Sequence, residues 1–129
     1  MNITINECFE LNEDFQNQFI GNGIFPEPKY TKMRLSERTV KKIHYKDVYI
    51  LKSFGYYYVT FNEDISGQSK EEKTYVLSFI APFALNGILL SLDAKNNRLF
   101  LFNATQNVIY LQKGTKIGEV KIWMNICKY

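Results

Sequence analysis

Residues 98–120 read RLFLFNATQNVIYLQKGTKIGEV, and this stretch decides the fold class. Short apolar runs alternate here with polar or glycine-containing turns, and the runs cover residues 98–103, 108–111 and 116–126. Apolar side chains recur at every second position, as a strand with one buried face requires, at Phe100, Phe102, Ile109 and Leu111. Runs of this length between turn signals predict β-strands.

The same pattern continues upstream. Further strands are predicted over 1–9, 47–52, 56–61, 74–81 and 88–92, with a turn at 53–55 and an N-terminal arm with loops through residue 28. In the basic segment, Ser36 could cap a short helix bearing Val40 and Ile43, but the β-branched and aromatic content favours a strand. The charged stretch 62–73 is predicted to be a solvated hairpin tip. The expected fold is all-β, a sandwich or a barrel.

Composition supports one folded domain covering residues 1–129. The chain is 46% apolar and 22% charged, with 10 Phe and 9 Tyr against 7 Gly and 3 Pro, which is typical of a sheet protein and not of a disordered chain. Its apolar runs fall short of the ~20 residues that span a bilayer, so no membrane association is expected. The N-terminus shows no secretion signal, and we expect an intracellular or virion-associated protein.

The net charge is too small to indicate nucleic-acid binding by itself, since 16 basic residues face 13 acidic ones. The basic residues nevertheless concentrate between positions 29 and 52. They are Lys29, Lys32, Arg34, Arg38, Lys41, Lys42, Lys46 and Lys52. A nucleic-acid-binding β domain that uses this segment is therefore one alternative function.

The residues that usually carry chemistry are sparse. His44 is the only histidine, and the neighbouring Lys42 and Lys46 disfavour its imidazolium form, so a catalytic histidine is not expected. Cys8 and Cys127 are predicted to be free thiols, with a disulfide between them as the alternative, and no metal or cofactor site is indicated. Residues 55–61, GYYYVTF, partly resemble the aromatic strand of RNA-recognition domains. The fit fails because Phe54 replaces the basic residue and Tyr57 the small one, so alternating aromatics on a half-buried strand are the favoured interpretation.

A family resemblance emerges at three places in one register. The run Leu101-Phe102-Asn103, the run KGTKIGEV over 113–120 and the run Gly87-Ile88-Leu89 match, at the same spacing, the L-F-N, K-G-D-R-I-A-Q-L and G-V-I-D motifs of trimeric dUTP pyrophosphatases. The resemblance covers residues 87–120. It implies a dUTPase-like distorted β-barrel or jelly roll that assembles as a homotrimer.

The matched positions have structural roles in such a fold. A glycine at position 114 allows the positive φ of a tight turn, and a glycine at position 118 permits a β-bulge or a close backbone approach. The fold-defining residues are Gly87, Phe102, Asn103, Gly114, Ile117 and Gly118.

The catalytic positions of the family are not retained. The aspartate that activates water is replaced by Leu90, which cannot accept a proton, and the tyrosine beneath the deoxyribose by Asp93. Glu119 replaces a glutamine and would repel phosphate. The sequence therefore predicts a non-enzymatic interaction or virion structural module, of viral origin, with an unidentified protein partner. The alternative is a nucleotide binder or enzyme that uses Asp93, Glu119 or Asp64, with residual nucleotide contacts at Asp93, Lys113 and Glu119.

Overall fold

The computed structural model describes residues 1–12, 28–65, 73–79 and 87–124, with the backbone alone for 73–79 and 120–124. Ten strands and no helix lie within these ranges. The strands are β1 (Asn2–Leu11), β2 (Tyr30–Lys32), β3 (Ser36–Val40), β4 (Ile43–Leu51), β5 (Tyr56–Phe61), β6 (Lys73–Phe79), β7 (Ile88–Asp93), β8 (Arg98–Asn103), β9 (Ile109–Gln112) and β10 (Lys116–Met124).

The all-β prediction is confirmed, and most boundaries agree to within two residues. The strand predicted over 98–103 matches β8 at both ends. The helix alternative at Ser36 is wrong, because residues 36–40 and 43–51 form paired antiparallel strands. The β-branched and aromatic side chains of this segment therefore decide its conformation, as expected.

The strands form two antiparallel sheets. The large sheet has the order β6-β10-β1-β5-β8-β7, with β2 added to β1, and the small sheet has the order β3-β4-β9. Hydrogen bonding among the described strands does not close either sheet into a ring. The architecture shown is thus two sheets packed on one another.

The hydrophobic core lies between the two sheets. In β5 and β8 every second side chain is buried, which places Tyr57, Val59, Leu99 and Leu101 inside. The small sheet adds Tyr49, Leu51 and Leu111 from the opposite side. The predicted two-residue period is confirmed, but the predicted buried face of β8 is wrong, since Leu99 and Leu101 face the core whereas Phe100 and Phe102 lie on the outer face.

Asn103 joins the two sheets through its buried side chain. It lies at the end of β8 and is completely inaccessible to solvent. Its Nδ2 donates to the carbonyl oxygens of Leu51, Lys52 and Asn107 at 3.2, 3.0 and 2.8 Å. Its Oδ1 accepts from the backbone N–H and the hydroxyl of Thr105 at 3.1 and 2.7 Å. Both polar groups of the amide are thereby satisfied, as a buried asparagine requires.

The connection after β5 differs from the predicted hairpin tip. β5 and β6 are not neighbours, because β10 and β1 lie between them in the large sheet. Glu63 accepts hydrogen bonds from the backbone N–H of Thr4 at 2.6 Å and from its hydroxyl, and Ile65 is completely buried. The prediction is therefore wrong for residues 62–65, whose polar side chains anchor the chain to β1. Residues 66–72 lie outside the described residues.

Two glycines behave as the sequence predicts. Gly114 has φ of 83° in the turn between β9 and β10, and its N–H donates to the carbonyl of Ile5 at 2.8 Å. Gly118 pairs with Ile3 in β1, directly beside a register shift between Ile3 and Thr4. The turn and the bulge together set the course of β10 along β1.

Cys8 is a free and fully buried thiol in the core. Burial raises its pKa from 9.0 to about 12, so the unreactive protonated form prevails. The predicted free thiol is confirmed for Cys8, whereas Cys127 lies outside the described residues.

Within the described ranges, the structure has no helix that combines the length and the apolar character needed to cross a membrane.

We expect Asn103→Leu to destabilise the fold by at least about 3 kcal/mol, because it leaves several buried backbone groups without partners and each costs about 1–3 kcal/mol. Denaturant unfolding followed by tryptophan fluorescence measures the change. The matched control is Asn107→Leu, an exposed asparagine of the same loop, for which we expect a change below about 0.5 kcal/mol. Equal effects of the two substitutions would show that the Asn103 amide does not hold the sheets together.

We also expect stability to fall at alkaline pH. The pKa of Tyr57, like that of Cys8, is raised to about 12, mainly by burial, from an ordinary value of 10.0. Both groups ionise at lower pH in the unfolded chain, so stability is complete below about pH 9 and falls as the pH rises towards 12. Urea unfolding across this window measures the slope, which Cys8→Ala should reduce. An unchanged slope in Cys8→Ala would contradict the assignment of the thiol.

Candidate functional site

Leu90, at the position where the resembled family has its general base, is part of the protein's packing. It lies in β7 opposite Leu101 of β8, and its side chain packs against the hydrophobic core. An alkyl chain at this place stabilises the sandwich and offers no acceptor for a proton.

Asp93 is held within a turn. It ends β7, where its Oδ2 accepts from the side-chain Nδ2 of Asn96 at 2.9 Å and from Nε of Arg98 at 2.9 Å. The hydrogen bond from Asn96 is the largest cause that lowers the pKa of Asp93, and Arg98 acts in the same direction. The carboxylate is therefore ionised and already engaged, which suits a structural role better than proton transfer.

The other predicted nucleotide contacts do not gather around Asp93. Glu119 lies on β10 and accepts from Nζ of Lys116 at 2.9 Å. Strands β1, β5 and β8 lie between β10 and β7, so the strands that carry Glu119 and Asp93 are four strand spacings apart in the sheet, about 19 Å at about 4.8 Å each. Lys113 lies in the turn before β10, where its N–H donates to the carbonyl of Asp47 at 2.8 Å.

Asp64 follows β5 and lies next to Glu63, whose carboxylate accepts from the backbone N–H of Thr4 in β1, the strand beside β10. Its neighbours Glu63 and Ile65 are hydrogen-bonded to Asn97 in the turn between β7 and β8, with distances of 2.9 Å to the Glu63 carbonyl and 2.8 Å from the Ile65 N–H. Asp64 therefore lies near the turn between β7 and β8, which also holds Asp93.

His44 lies on β4, in an exposed position. Its Nε2 is 3.3 Å from a carboxylate oxygen of Glu37, and its Nδ1 is 3.1 Å from the hydroxyl of Thr39. No group of three or more histidine, cysteine, aspartate or glutamate side chains among the described residues is arranged to hold a metal ion. His44 is therefore a cross-strand partner within a hairpin.

The outer face of the large sheet carries six aromatic rings, which we call the aromatic face: Phe9, Tyr30, Tyr56, Tyr58, Phe100 and Phe102. Phe9 stacks on Tyr58 with 4.6 Å between ring centroids, and Tyr56 stacks on Phe102 at 4.4 Å. Tyr30 meets the edge of Tyr58 at 4.7 Å. The rings come from four strands and form one continuous apolar surface on the side opposite the core.

One end of the aromatic face is open to solvent. Tyr56 is 48% exposed, Leu89 on the edge strand β7 is 60% exposed, and Phe54 in the preceding turn is 54% exposed. A hollow of about 210 Å³ lies between these strands, lined by rings of the aromatic face and by Leu89 and Ser91. Contiguous exposed apolar surface of this kind marks interaction sites.

The cations on the aromatic face are neutralised locally. Nζ of Lys32 is 3.2 Å from Glu7, and Nε of Arg98 is 2.9 Å from Asp93. The Arg98 guanidinium also lies 5.1 Å from the ring centre of Tyr58. The face is therefore apolar and electrically balanced.

The hairpin of β3 and β4 has the opposite character. We call residues 34–47 the basic ribbon, because they hold five cations and two carboxylates, an excess of three that equals the formal net charge of the chain. Every residue from 37 to 47 is exposed. The cations, which form no ion pair with any residue that the structure describes, are Arg34, Arg38, Lys41, Lys42 and Lys46.

The tip of the basic ribbon has an unusual backbone. Lys41 and Lys42 have φ of 49° and 68°, so both adopt the left-handed conformation that a two-residue type I′ turn requires. Asn-Gly is the preferred pair in such turns, and a left-handed residue with a side chain costs about 1–2 kcal/mol. The two lysines at this tip therefore place two positive charges on a turn whose backbone conformation costs stability.

An apolar groove lies at the base of the basic ribbon. Its volume is about 330 Å³, and it is lined mainly by Val40, Tyr45, Val48, Ile109 and Tyr110. The groove is lined mostly by residues of the small sheet, together with Ile88 of β7, whereas the aromatic face lies on the outer side of the large sheet, so the chain presents two distinct apolar surfaces.

Sequence reasoning found some of these features. The interpretation of 55–61 as alternating aromatics is confirmed, since Tyr57 is buried while Tyr56 and Tyr58 point outwards. The sequence did not reveal the aromatic face as a unit. Its aromatic residues nevertheless recur at every second position within each of two strands, namely at Tyr56, Tyr58, Phe100 and Phe102. That shared spacing is the signal that could have revealed it.

No protein-family model matches the chain, and no curated protein matches it either.

We expect the double substitution Lys41→Asn and Lys42→Gly to stabilise the protein by about 1–2 kcal/mol, because it places the preferred residues in the left-handed turn. Denaturant unfolding measures the gain. Lys41→Gln with Lys42→Gln is the control, since it removes the same charges and keeps the strained backbone. An equal gain in both variants would show that charge repulsion, and not backbone strain, sets the cost.

Proposed function

We propose that the protein is a non-enzymatic, dUTPase-like interaction module that assembles as a homotrimer. The observation that carries this proposal is the aromatic face, a continuous, partly exposed and electrically balanced surface on the outside of the large sheet. Its rings lie within a described framework of two antiparallel sheets, which is compatible with a jelly roll.

The absence of catalysis is supported by what occupies the relevant positions. Leu90 contributes its side chain to the core, Asp93 is held by Asn96 and Arg98, and Glu119 is paired with Lys116. Each of these three residues therefore has a packing or pairing role that explains its presence without any role in binding a substrate.

Self-association is favoured over another partner by the charge balance. Identical copies carry identical charges, so a surface through which they meet must be nearly neutral. The aromatic face meets this requirement, because Lys32 and Arg98 are matched by Glu7 and Asp93. The charged tip of the basic ribbon does not, since the lysines of neighbouring copies would repel one another.

A ring of three copies needs two different surfaces that fit each other. The aromatic face and the apolar groove at the base of the ribbon are such a pair, for they lie mostly on different sheets. Exposed Leu89 and Tyr56 of one copy are of suitable size to enter the groove beside Tyr45 of the next. Burial of these side chains would supply the core area that a small domain lacks.

The role of the assembly follows from the same argument. A scaffold of dUTPase type that retains its packing residues and has a leucine at the position of the base is suited to protein contacts, as in a virion structural component or a viral protein that binds a host protein. We propose this role on the resemblance of residues 87–120.

Light scattering on the purified chain tests the assembly. We expect about 46 kDa, three times the chain mass of 15.2 kDa. A mass of 15.2 kDa at micromolar concentration would overturn the trimer.

We expect Leu89→Ser with Tyr56→Ser to shift the assembly towards monomer without unfolding it, because both side chains are about half exposed in the single chain. Lys95→Ser, at an exposed position in the turn after β7, is the control and should leave the mass unchanged. Circular dichroism checks the fold of each variant. Calorimetry with dUTP completes the test, since tight binding or turnover would contradict the non-enzymatic role.

A further inference from the structure

We propose that the basic ribbon, residues 34–47, is a docking element for duplex DNA. Arg38, Val40 and Tyr45 at the base of the ribbon also line the groove used in the proposed self-association. Lys41 and Lys42 at the ribbon tip belong neither to that groove nor to the aromatic face, so the inference does not depend on self-association. It rests on the shape of the hairpin, on the distribution of charge and on the conformation of Lys41 and Lys42.

The shape of the ribbon suits the major groove of B-form DNA. β3 and β4 form a two-stranded antiparallel ribbon in which residues 37–47 are all exposed. The major groove is about 12 Å wide and admits a two-stranded ribbon, whereas the corresponding groove of A-form RNA is too narrow for protein side chains to read. The geometry therefore favours duplex DNA over duplex RNA.

The charge of the ribbon is available to phosphates. The only carboxylate between Arg34 and Lys46 is that of Glu37, and it lies 3.3 Å from Nε2 of His44. None of the ribbon cations is in an ion pair with another described side chain. Cations without an ion pair release counterions from DNA when they contact phosphates, and this release is the main source of affinity for DNA.

Three cations outside the ribbon form ion pairs with carboxylates. Lys32 and Arg98 on the aromatic face are paired with Glu7 and Asp93, and Lys52 lies 3.5 Å from Glu10. A phosphate approaching them would have to compete with a carboxylate. The aromatic face is thus a poor place for nucleic acid despite its rings.

The tip supplies an independent argument. Lys41 and Lys42 both adopt positive φ in a turn where Asn-Gly fits best. The conformation directs two adjacent ammonium groups outwards from the far end of the ribbon, next to exposed Ile43. Strained residues of this kind cluster at functional positions.

Fluorescence anisotropy of the full chain with a labelled B-form duplex tests the proposal. Five phosphate contacts predict that affinity falls several hundredfold, about 250- to 500-fold, between about 50 and 200 mM salt. The variant Lys41→Asn with Lys42→Gly keeps a favourable turn while it removes two cations. We expect its plot of log affinity against log salt to be shallower by about 2 units.

The matched control is Lys52→Asn with Lys95→Asn, which removes the same net charge at exposed positions outside the ribbon. We expect the control to keep the wild-type salt slope. Binding that is undetectable at about 50 mM salt would overturn the proposal, as would an unchanged slope in the ribbon variant or an equal loss in the control. Equal affinity for an RNA duplex or a single strand of the same length would also overturn it.

Discussion

The buried amide of Asn103 is the contact on which the arrangement of the two sheets depends. It lies at the end of β8 in the large sheet and donates to the carbonyls of Leu51 and Lys52 at the end of β4 in the small sheet. Its backbone also exchanges hydrogen bonds with the turn between β4 and β5, through Phe54 and Gly55. One residue therefore fixes the place where the chain passes from one sheet to the other, and all its polar groups are satisfied there.

The two sheets that Asn103 joins carry their charges differently. The outer face of the large sheet balances Lys32 and Arg98 with carboxylates, while the hairpin of the small sheet holds an excess of cations equal to the net charge of the chain. An overall value of +3 conceals this division. A neutral apolar surface suits contacts between copies, and an unbalanced basic surface suits a polyanion, so the two surfaces fit different partners.

The sequence predicted the strands well, because alternation and turn residues act locally. The 98–103 strand, the left-handed glycine at position 114 and the bulge beside Gly118 all follow from such rules. Strand order could not be read in this way, and the hairpin expected at 62–73 was wrong because β5 and β6 pair with other strands.

The candidate surfaces were only partly foreseeable. The cluster of cations between residues 29 and 52 was visible in the sequence. Which of these cations are paired was not, because the partner of Lys32 is Glu7, a residue distant in sequence, whereas Lys41 and Lys42 form no ion pair with a described residue. The left-handed conformation at Lys41 and Lys42 was not foreseeable either, because lysine carries no signal for it. The dUTPase-like trimer remains a prediction from the resemblance of residues 87–120.

The central claim is that self-association uses the aromatic face and the groove at the base of the ribbon, while DNA contacts the tip of the ribbon, so that both can occur together. Native mass spectrometry of the chain mixed with one short B-form duplex at low ionic strength tests this claim most directly. The account predicts a species containing three chains and one duplex. A complex of one chain with one duplex, or dissociation of the trimer as DNA is added, would contradict it.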